Sequence, residues 1–257
     1  MAGWSFAAAK SGSFHGGVRT TRNAGLVYPL GKLHQDDTGG RACVDRQASD
    51  YQDLLDYRRT VAEMYARVRA DPKARADRCL EFRRACDELI RTHPQSALSP
   101  EQKVVFPGLR HYPYDPSLRF AVPIEDGATG ETLEVELRDD GPLRLRRIGR
   151  VRLRVDSQDV ALSLFWIEAY GGGIFLPFRD LTAGTTTYPG GRYLLDTIKG
   201  ADLGQEGSKL IIDFNYAYNP SCAYHSRWDC PLAPLENHLP VAIAAGEQWD
   251  RAGLSAG

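Results

Sequence analysis

The pattern of apolar and polar positions divides the chain into a helical part and a longer part with strand periodicity. Apolar residues recur at helical spacing within 49–94 and follow a period of two across much of 119–244. Residues 1–48 show neither period and are rich in glycine, serine, threonine and arginine, which predicts a weakly ordered leader. The pattern therefore predicts three regions, a leader at 1–48, a helical hairpin at 49–94 and an antiparallel β domain at 100–250.

Two helices are predicted within the helical hairpin. Ser49 and Gln52 have the spacing of a capping box, Asp71 followed by Pro72 can end the first helix and begin the second, and Pro94 stops the second. The apolar stripes are Leu54, Tyr57, Val61, Tyr65 and Val68 on the first helix and Cys79, Phe82, Cys86, Leu89 and Ile90 on the second. Since a lone helix pair buries little apolar surface, the hairpin is expected to pack on the rest of the chain.

Strand-like segments separated by short turn sequences fill most of the remaining chain. The predicted strands are 119–125, 132–138, 143–155, 160–170, 174–180, 209–218 and 239–244, and the sequence HPQSALSPEQ before them is predicted to be a turn-rich link. Because short loops join successive strands, neighbouring strands are expected to be antiparallel. The predicted fold class is mainly β (α+β), an antiparallel β-sandwich or a partly closed barrel with an N-terminal helical hairpin.

The charges of one predicted hairpin, which turns across 139–142, indicate how its arginines are used. Glu134 and Glu136 alternate with apolar residues before the turn, and Arg144 and Arg146 do so after it. Acidic positions can then lie opposite basic ones on the paired strand. The whole chain has 32 basic and 33 acidic residues, so no excess of positive charge points to nucleic acid, and no nucleic-acid partner is predicted.

The remaining composition narrows the class of protein. No segment approaches the roughly 20 apolar residues of a membrane span, and the N-terminus has no basic region ahead of an apolar one, so a cytoplasmic protein without membrane association is expected. Five cysteines in a chain without a secretion signal favour reduced thiols over a disulfide framework. The sequence leaves the oligomeric state open.

Several segments resemble, in order, the motifs of domain-of-unknown-function family 1684. They are THPQSALSPEQKVVFPGLRHYPYDPSLRF (92–120), FLPFRDLTAGTTTYPGGRYL (175–194), DFNYAYNPSCAY (213–224), CPLAPLENHLPV (230–241) and AAGE (244–247). The resemblance covers residues 78–248 and implies a prokaryotic protein with a β-rich domain, but it implies no activity. Some members have a longer upstream half that resembles a forkhead-associated domain, whereas this chain has the leader and the hairpin. His225 and His238 stand where the family has no fixed histidine.

Residues 213–240, the sequence DFNYAYNPSCAYHSRWDCPLAPLENHLP, hold most of the candidate chemistry. Cys222, His225, Cys230 and His238 are ligand types that zinc accepts, although their spacing, C-x2-H-x4-C-x7-H, differs from the usual zinc knuckles. Zinc is the one cofactor considered. Cys222 can instead be a thiolate nucleophile with His225 as its base and Asp213, Asp229 or Glu236 as the orienting carboxylate.

A structural role explains more of this segment. Asparagines satisfy loop backbone, prolines stiffen the path and tyrosines fill space, so the segment is expected to cap one end of the sheet. The cap can also form the wall of a ligand pocket, because Arg179 ends one strand, Arg192 begins the next, and an arginine pair suits a carboxylate or phosphate. Alternatively, both arginines bond Asp180, Asp213 or Glu236 and lock the loops together.

The sequence therefore predicts a non-catalytic, soluble, β-rich protein that binds a small anionic molecule near Arg179 and Arg192, under the segment 213–240. The alternative is a hydrolase or zinc-binding protein that uses Cys222, His225 and Cys230. The residues predicted to bind the ligand are Arg179, Asp180, Arg192, Tyr193, Asp213, Asn215, Tyr218, Asn219, Glu236 and Asn237.

Overall fold

Three helices precede the sheets in a computed structural model that describes residues 40–70, 74–126, 130–137 and 141–249. They are α1 (Gly40–Ala70), α2 (Arg75–Thr92) and α3 (Pro100–Val105). Most of the predicted leader, and the predicted cap at Asp71, lie outside the described residues. α1 begins at Gly40 and not at Ser49, because 40–48 contain no proline that would end the helix there. α2 ends before Pro94, as predicted.

α3 begins within the predicted turn-rich link (93–102) and extends past its end. The hydroxyl of Ser99 accepts a hydrogen bond from the backbone N–H of Gln102 (3.2 Å), and the side-chain oxygen of Gln102 accepts one from the N–H of Ser99 (2.8 Å). This reciprocal capping box, with Pro100 in the first turn, explains why the helix begins there. The prediction of 93–102 as a turn-rich link missed this helix.

Eight strands form two antiparallel sheets within the described residues. They are β1 (Arg119–Val122), β2 (Thr132–Leu137), β3 (Gly141–Val155), β4 (Gln158–Ile167), β5 (Gly173–Phe178), β6 (Arg192–Asp196), β7 (Gln205–Glu206) and β8 (Lys209–Asp213). The larger sheet has the order β2-β3-β4-β5-β6 and the smaller has the order β1-β8-β7. Isolated bridges join Glu125, which follows β1, to Arg150 of β3 and Tyr218 to Tyr193 of β6, and the described strands do not close into a barrel. The predicted α+β, mainly antiparallel fold class is thus confirmed.

The charge pattern of the β2–β3 hairpin is also confirmed. Glu134 lies opposite Arg144, and the Oε1 of Glu134 is 3.5 Å from the Nε of Arg144. Leu133 and Leu145 are paired on the adjacent position, so the apolar residues of both strands share one face. Alternation alone fixed this register, because a shift by one residue would place the leucines among the charges.

Two predicted strands differ from the structure. The predicted strand 209–218 ends at Asp213, because the carboxylate of Asp213 accepts a hydrogen bond from the N–H of Asn215 (3.0 Å) and begins a 3-10 turn. Residues 239–244 form no strand. Leu239 donates to the carbonyl of Arg179 (2.7 Å) and Val241 accepts from Leu181 (3.0 Å), so this stretch pairs only at separate points.

The main hydrophobic core contains residues of both sheets. It includes Val151 and Leu153 of β3, Leu162 and Leu164 of β4, Phe178 of β5, Ile211 and Ile212 of β8, and Phe214. In β3, buried and exposed positions alternate along most of the strand, which is why a period of two marked it in the sequence. Each such buried side chain contributes about 1.5–3 kcal/mol.

The helical hairpin packs against the β domain, as predicted. Tyr65 of α1 and Cys79 of α2 belong to the same core as the strand residues. Gly200, in the turn after β6, has φ +86°, and a Cβ at this position would lie 2.9 Å from the Cα of Ala62 in α1. Glycine therefore permits the helix to approach this turn. Neither α1, α2 nor α3, the helices of the described residues, has the length and apolar character that crossing a membrane requires.

Candidate ligand-binding site

The segment 213–240 lies beside the two turns that carry the predicted arginines. Tyr218 and Tyr193 exchange backbone hydrogen bonds (3.1 and 2.9 Å), which joins the segment to β6. Further along, Arg179 donates its backbone N–H to the carbonyl of Asn237 (3.0 Å). The segment thus pairs with backbone on both sides of the site predicted from the sequence.

Arg192 is buried and bonded to the protein. Its Nη2 donates to the Oδ2 of Asp180 (2.8 Å) and to the carbonyl of Ile243 (3.0 Å), while its Nη1 donates to the carbonyls of Ala245 (2.5 Å) and Glu247 (3.2 Å). The side chain is 1% exposed. Both terminal nitrogens therefore hold loops together, and these contacts favour the structural alternative over anion binding by this arginine.

The other polar residues predicted around this point also bind protein groups. Glu236 accepts hydrogen bonds from Arg147 Nη2 (2.6 Å) and from the hydroxyl of Ser163. The amide of Asn237 accepts from the N–H of Ser163 (2.8 Å) and donates to the carbonyls of Ser163 (2.9 Å) and Pro177 (2.7 Å). Arg179 is partly exposed and donates its Nε to the carbonyl of Pro189 (3.0 Å).

The two cysteines of the segment lie together, while the two histidines have other partners. The N–H of Cys222 donates to the Sγ of Cys230 (3.4 Å). His225 Nδ1 accepts from the N–H of Arg227 (3.0 Å), and His238 Nε2 is 3.2 Å from the carbonyl of Ala233. Across the described ranges, no group of three or more histidine, cysteine and carboxylate side chains could hold a metal ion. The zinc alternative stays a prediction.

The hydrolase alternative requires a thiolate at Cys222. The hydrogen bond that its thiol donates to Cys230 is the largest cause that raises the pKa of Cys222, and burial is the second. A raised pKa keeps this thiol protonated, so the contacts of Cys222 do not favour it as the nucleophile.

A cavity of about 180 Å³ lies between the helical hairpin and the segment 213–240, and it is called the hairpin cavity below. Its wall is mainly apolar and aromatic. The wall includes Leu54, Tyr57 and Val61 of α1, Phe82, Cys86 and Leu89 of α2, and Tyr218 and Tyr224 of the segment. The apolar stripes predicted for both helices thus face this space as well as the core.

Glu247 is the buried carboxyl group of the cavity wall. Its Oε1 accepts hydrogen bonds from Asn219 Nδ2 (2.8 Å) and from the hydroxyl of Tyr224, and its Oε2 accepts from the N–H of Asn219 (3.0 Å). Burial raises the pKa of Glu247 to about 7. The preceding Gly246 has φ +74°, and a Cβ there would lie 2.6 Å from the carbonyl oxygen of Phe214, so glycine allows the turn that presents the carboxyl group.

Two lining residues, Asn219 and Arg83, each have a buried polar atom with unused hydrogen-bonding capacity. Asn219 directs its Nδ2 to Glu247 and to the carbonyl of Gln248 (3.0 Å), which fixes the amide orientation. Its Oδ1 has no hydrogen-bond partner among the described residues. Arg83 donates through Nη1 to Tyr112 (2.8 Å) and through Nη2 to Asn215 (3.3 Å), and its buried Nε likewise has no partner within the described part of the chain.

Three ionisable groups that line the cavity are shifted toward their neutral forms. Burial lowers the pKa of His111 to about 4, raises that of Tyr57 to about 12, and raises that of Cys86. All three residues line the cavity. Since desolvation is the largest cause in each case, the site is an environment of low dielectric constant that disfavours charge.

The structure brings part of the predicted set to this cavity. Tyr193, Asn215, Tyr218, Asn219 and Cys230 line it, whereas Arg179, Asp180, Arg192, Asp213, Glu236 and Asn237 are not among its lining residues. The sequence reading missed Arg83, His111 and Glu247. Glu247 is the last residue of the AAGE motif and directly follows Gly246, which has a positive φ. Its place in this motif was the signal in the sequence that could have identified it.

These features define a mainly β protein with a helical hairpin packed over a cavity. A family model described as "Protein of unknown function (DUF1684)" matches residues 104–248, and the chain belongs to this family. The resemblance identified from the motifs is thereby confirmed. The match covers all eight strands and Glu247, but not α1 and α2.

The chain is also similar to an uncharacterized protein of known structure. The solution NMR structure of the uncharacterized protein from gene locus rrnAC0354 of Haloarcula marismortui is 31% identical, covers 68% of this chain and 94% of that chain, and has a TM-score of 0.49. No curated protein matches the chain.

Proposed function

We propose that the protein binds a compact, mainly apolar molecule with a hydroxyl group in the hairpin cavity. The observation that carries the proposal is an apolar cavity whose wall contains an unused buried acceptor, Asn219 Oδ1, and an unused buried donor, Arg83 Nε. Apolar pockets with a few convergent polar groups are typical of small-molecule sites.

The size of the cavity limits the ligand to about one or two rings. Its volume is about 180 Å³. An engineered apolar cavity of ~150 Å³ stays dry and binds benzene. A single substituted aromatic ring or an aliphatic molecule of similar volume therefore fits this site.

The polar groups favour a hydroxyl group on that ligand. A hydroxyl group can donate to Asn219 Oδ1 or accept from Arg83 Nε, and a buried polar atom left without a partner costs about 1–3 kcal/mol. Because the surrounding groups are shifted toward their neutral forms, a neutral phenol or alcohol suits the cavity better than a charged ligand.

This proposal changes the site and the charge of the ligand that the sequence predicted. An anion near Arg179 and Arg192 would compete with Asp180 and three backbone carbonyls for the Arg192 guanidinium group. The hairpin cavity keeps the predicted segment as a wall of the pocket, but its opposite wall is the helical hairpin.

Thermal unfolding with p-cresol and with toluene tests the proposal. We expect p-cresol to raise the Tm in a concentration-dependent way, and more than toluene does, because only p-cresol has a hydroxyl group. A ligand at 100 times its Kd stabilises the folded state by about 2.7 kcal/mol. Leu54→Trp, in the cavity wall, should reduce the effect of p-cresol, while Leu55→Trp, next to it on α1 and 57% exposed, should leave it unchanged.

Val61→Phe provides a second wall variant in case Leu54→Trp does not fold. If p-cresol does not change the Tm of the unaltered chain, the proposal is wrong. It is also wrong if both wall variants fold and respond to p-cresol as strongly as Leu55→Trp does, because the ligand would then bind elsewhere.

A further inference from the structure

Cys222 and Cys230 form a hydrogen-bonded thiol pair at the edge of the hairpin cavity. The N–H of Cys222 donates to the Sγ of Cys230 (3.4 Å), and the neighbouring Cys230 side chain is the largest cause that raises the pKa of Cys222. Tyr188 directs its hydroxyl to the Sγ of Cys222 (3.6 Å). Both cysteines are free and partly exposed, whereas Cys79 is fully buried in the core. The two sulfurs are thus adjacent and within reach of small reagents.

The two thiols have unequal roles. Cys230 accepts hydrogen bonds from Cys222, and these bonds, with the more distant charge of Lys199, lower its pKa. Donation to Cys230 raises the pKa of Cys222. The N–H of Cys222 points at the Sγ of Cys230 (3.4 Å) and would stabilise a thiolate there, so we assign Cys230 as the attacking thiol and Cys222 as the thiol that resolves the mixed disulfide.

We propose that Cys222 and Cys230 form a reversible disulfide by exchange with a low-molecular-weight disulfide such as oxidised glutathione. The Cys230 thiolate attacks one sulfur of the oxidant, an S–S bond forms, and one glutathione thiolate leaves. Cys222 then loses its proton and attacks the Sγ of Cys230, which releases the second glutathione. Two electrons pass from the cysteines to the oxidant. The two released thiolates become thiols when they take up the proton that Cys222 loses and one proton from solvent.

The position of the pair connects this chemistry to the cavity wall. Cys230 lines the cavity, and the next residue, Pro231, accepts a hydrogen bond from the hydroxyl of Tyr193 (2.6 Å), which also lines it. The inference does not depend on the proposed ligand, because it rests on the two sulfurs and their hydrogen bonds alone.

The full chain in mixtures of reduced and oxidised glutathione provides the test, with alkylation of the remaining thiols and peptide mass mapping. We expect a Cys222–Cys230 peptide that has lost two hydrogens and that reverts in excess reduced glutathione. Cys86→Ser, which alters a cavity cysteine outside the pair, should leave that disulfide unchanged.

Single variants test the order of the steps. Cys222→Ser keeps a hydroxyl donor for Cys230 and should accumulate the mixed disulfide at Cys230, at least about tenfold faster than Cys230→Ser accumulates it at Cys222. Failure of the unaltered chain to form the 222–230 disulfide, or its pairing through other cysteines, would refute the inference. Equal rates in the two variants would refute the assigned roles. Failure of p-cresol to bind would leave both results unaffected.

Discussion

Glu247 should make the folded state less stable as the pH rises toward neutrality. Its carboxyl group is buried, and burial raises its pKa from about 4.5 to about 7. A carboxyl group with a raised folded-state pKa contributes stability that is fully present below the unfolded-state pKa, about 4.5. This contribution is lost as the pH rises through the folded-state pKa, about 7, because the unfolded chain releases the proton first.

The size of this effect follows from the pKa difference. A shift of one unit corresponds to about 1.36 kcal/mol, so the difference between about 4.5 and about 7 amounts to roughly 3 kcal/mol between pH 4 and pH 8. Glu247→Gln removes the titration while it keeps an oxygen that can accept from Asn219 or Tyr224. The variant loses part of the hydrogen-bond network at every pH, at a cost of about 1 kcal/mol that does not depend on pH.

Urea unfolding across pH 4 to 8 measures the prediction. The free energy of unfolding of the unaltered chain should fall by about 3 kcal/mol relative to Glu247→Gln over this range. His111 acts in the opposite direction. Burial lowers its pKa to about 4, so its contribution is present above its ordinary pKa and is lost as the pH falls. Relative to His111→Gln, the free energy of unfolding of the unaltered chain should therefore rise with pH, which is the opposite of the change relative to Glu247→Gln. Parallel pH profiles for the unaltered chain and Glu247→Gln would refute the reasoning about Glu247.

Two further predictions concern stability in urea, and a third concerns hydrogen exchange. Asp180→Asn leaves the buried Arg192 without its carboxylate and should cost about 3–5 kcal/mol, and a cost below 1 kcal/mol would contradict the role of this ion pair. Asn237→Ala removes hydrogen bonds to Ser163 and Pro177 and should cost roughly 2–4 kcal/mol, since it leaves buried backbone groups unpaired. Gly200→Ala should clash with Ala62 of α1 and loosen the helix at the hairpin cavity, so the backbone amides of α1 should exchange their hydrogens faster. Unchanged protection of these amides would contradict the predicted clash.

The strands could be predicted from the sequence where the alternation of apolar and polar residues determines both the strand and its pairing with a neighbour. Glu134 and Arg144 flank a turn and alternate with apolar residues, so the hairpin register followed from the sequence. The stretch 239–244 has similar apolar character, but it pairs with 179–181 only at separate points. Residues 239–244 differ from the hairpin because their pairing partner is distant in the sequence. The apolar pattern of a segment does not indicate how such a distant partner pairs with it.

The site was predictable only in part, for a related reason. The tyrosines and asparagines of 213–224 indicated a wall, and Tyr218 and Asn219 do line the cavity. The opposite wall consists of residues such as Leu54 and Phe82, whose spacing is the same whether they contact other side chains or an empty volume. Space left between packed elements has no signature in the sequence, so the cavity became visible only with the fold.

Asn237 substitutes for part of a strand. Pairing between β4 and β5 runs from Ile167 with Gly173 to Phe165 with Phe175 and then stops, and the amide group of Asn237 lies between Ser163 and Pro177 where the next rungs would be. An amide side chain has the same donor and acceptor groups as a peptide unit. The two strands can therefore diverge there without leaving buried backbone groups unpaired. The two strands are thus joined at this point through a side chain of the segment 213–240, which is distant from both of them in the sequence.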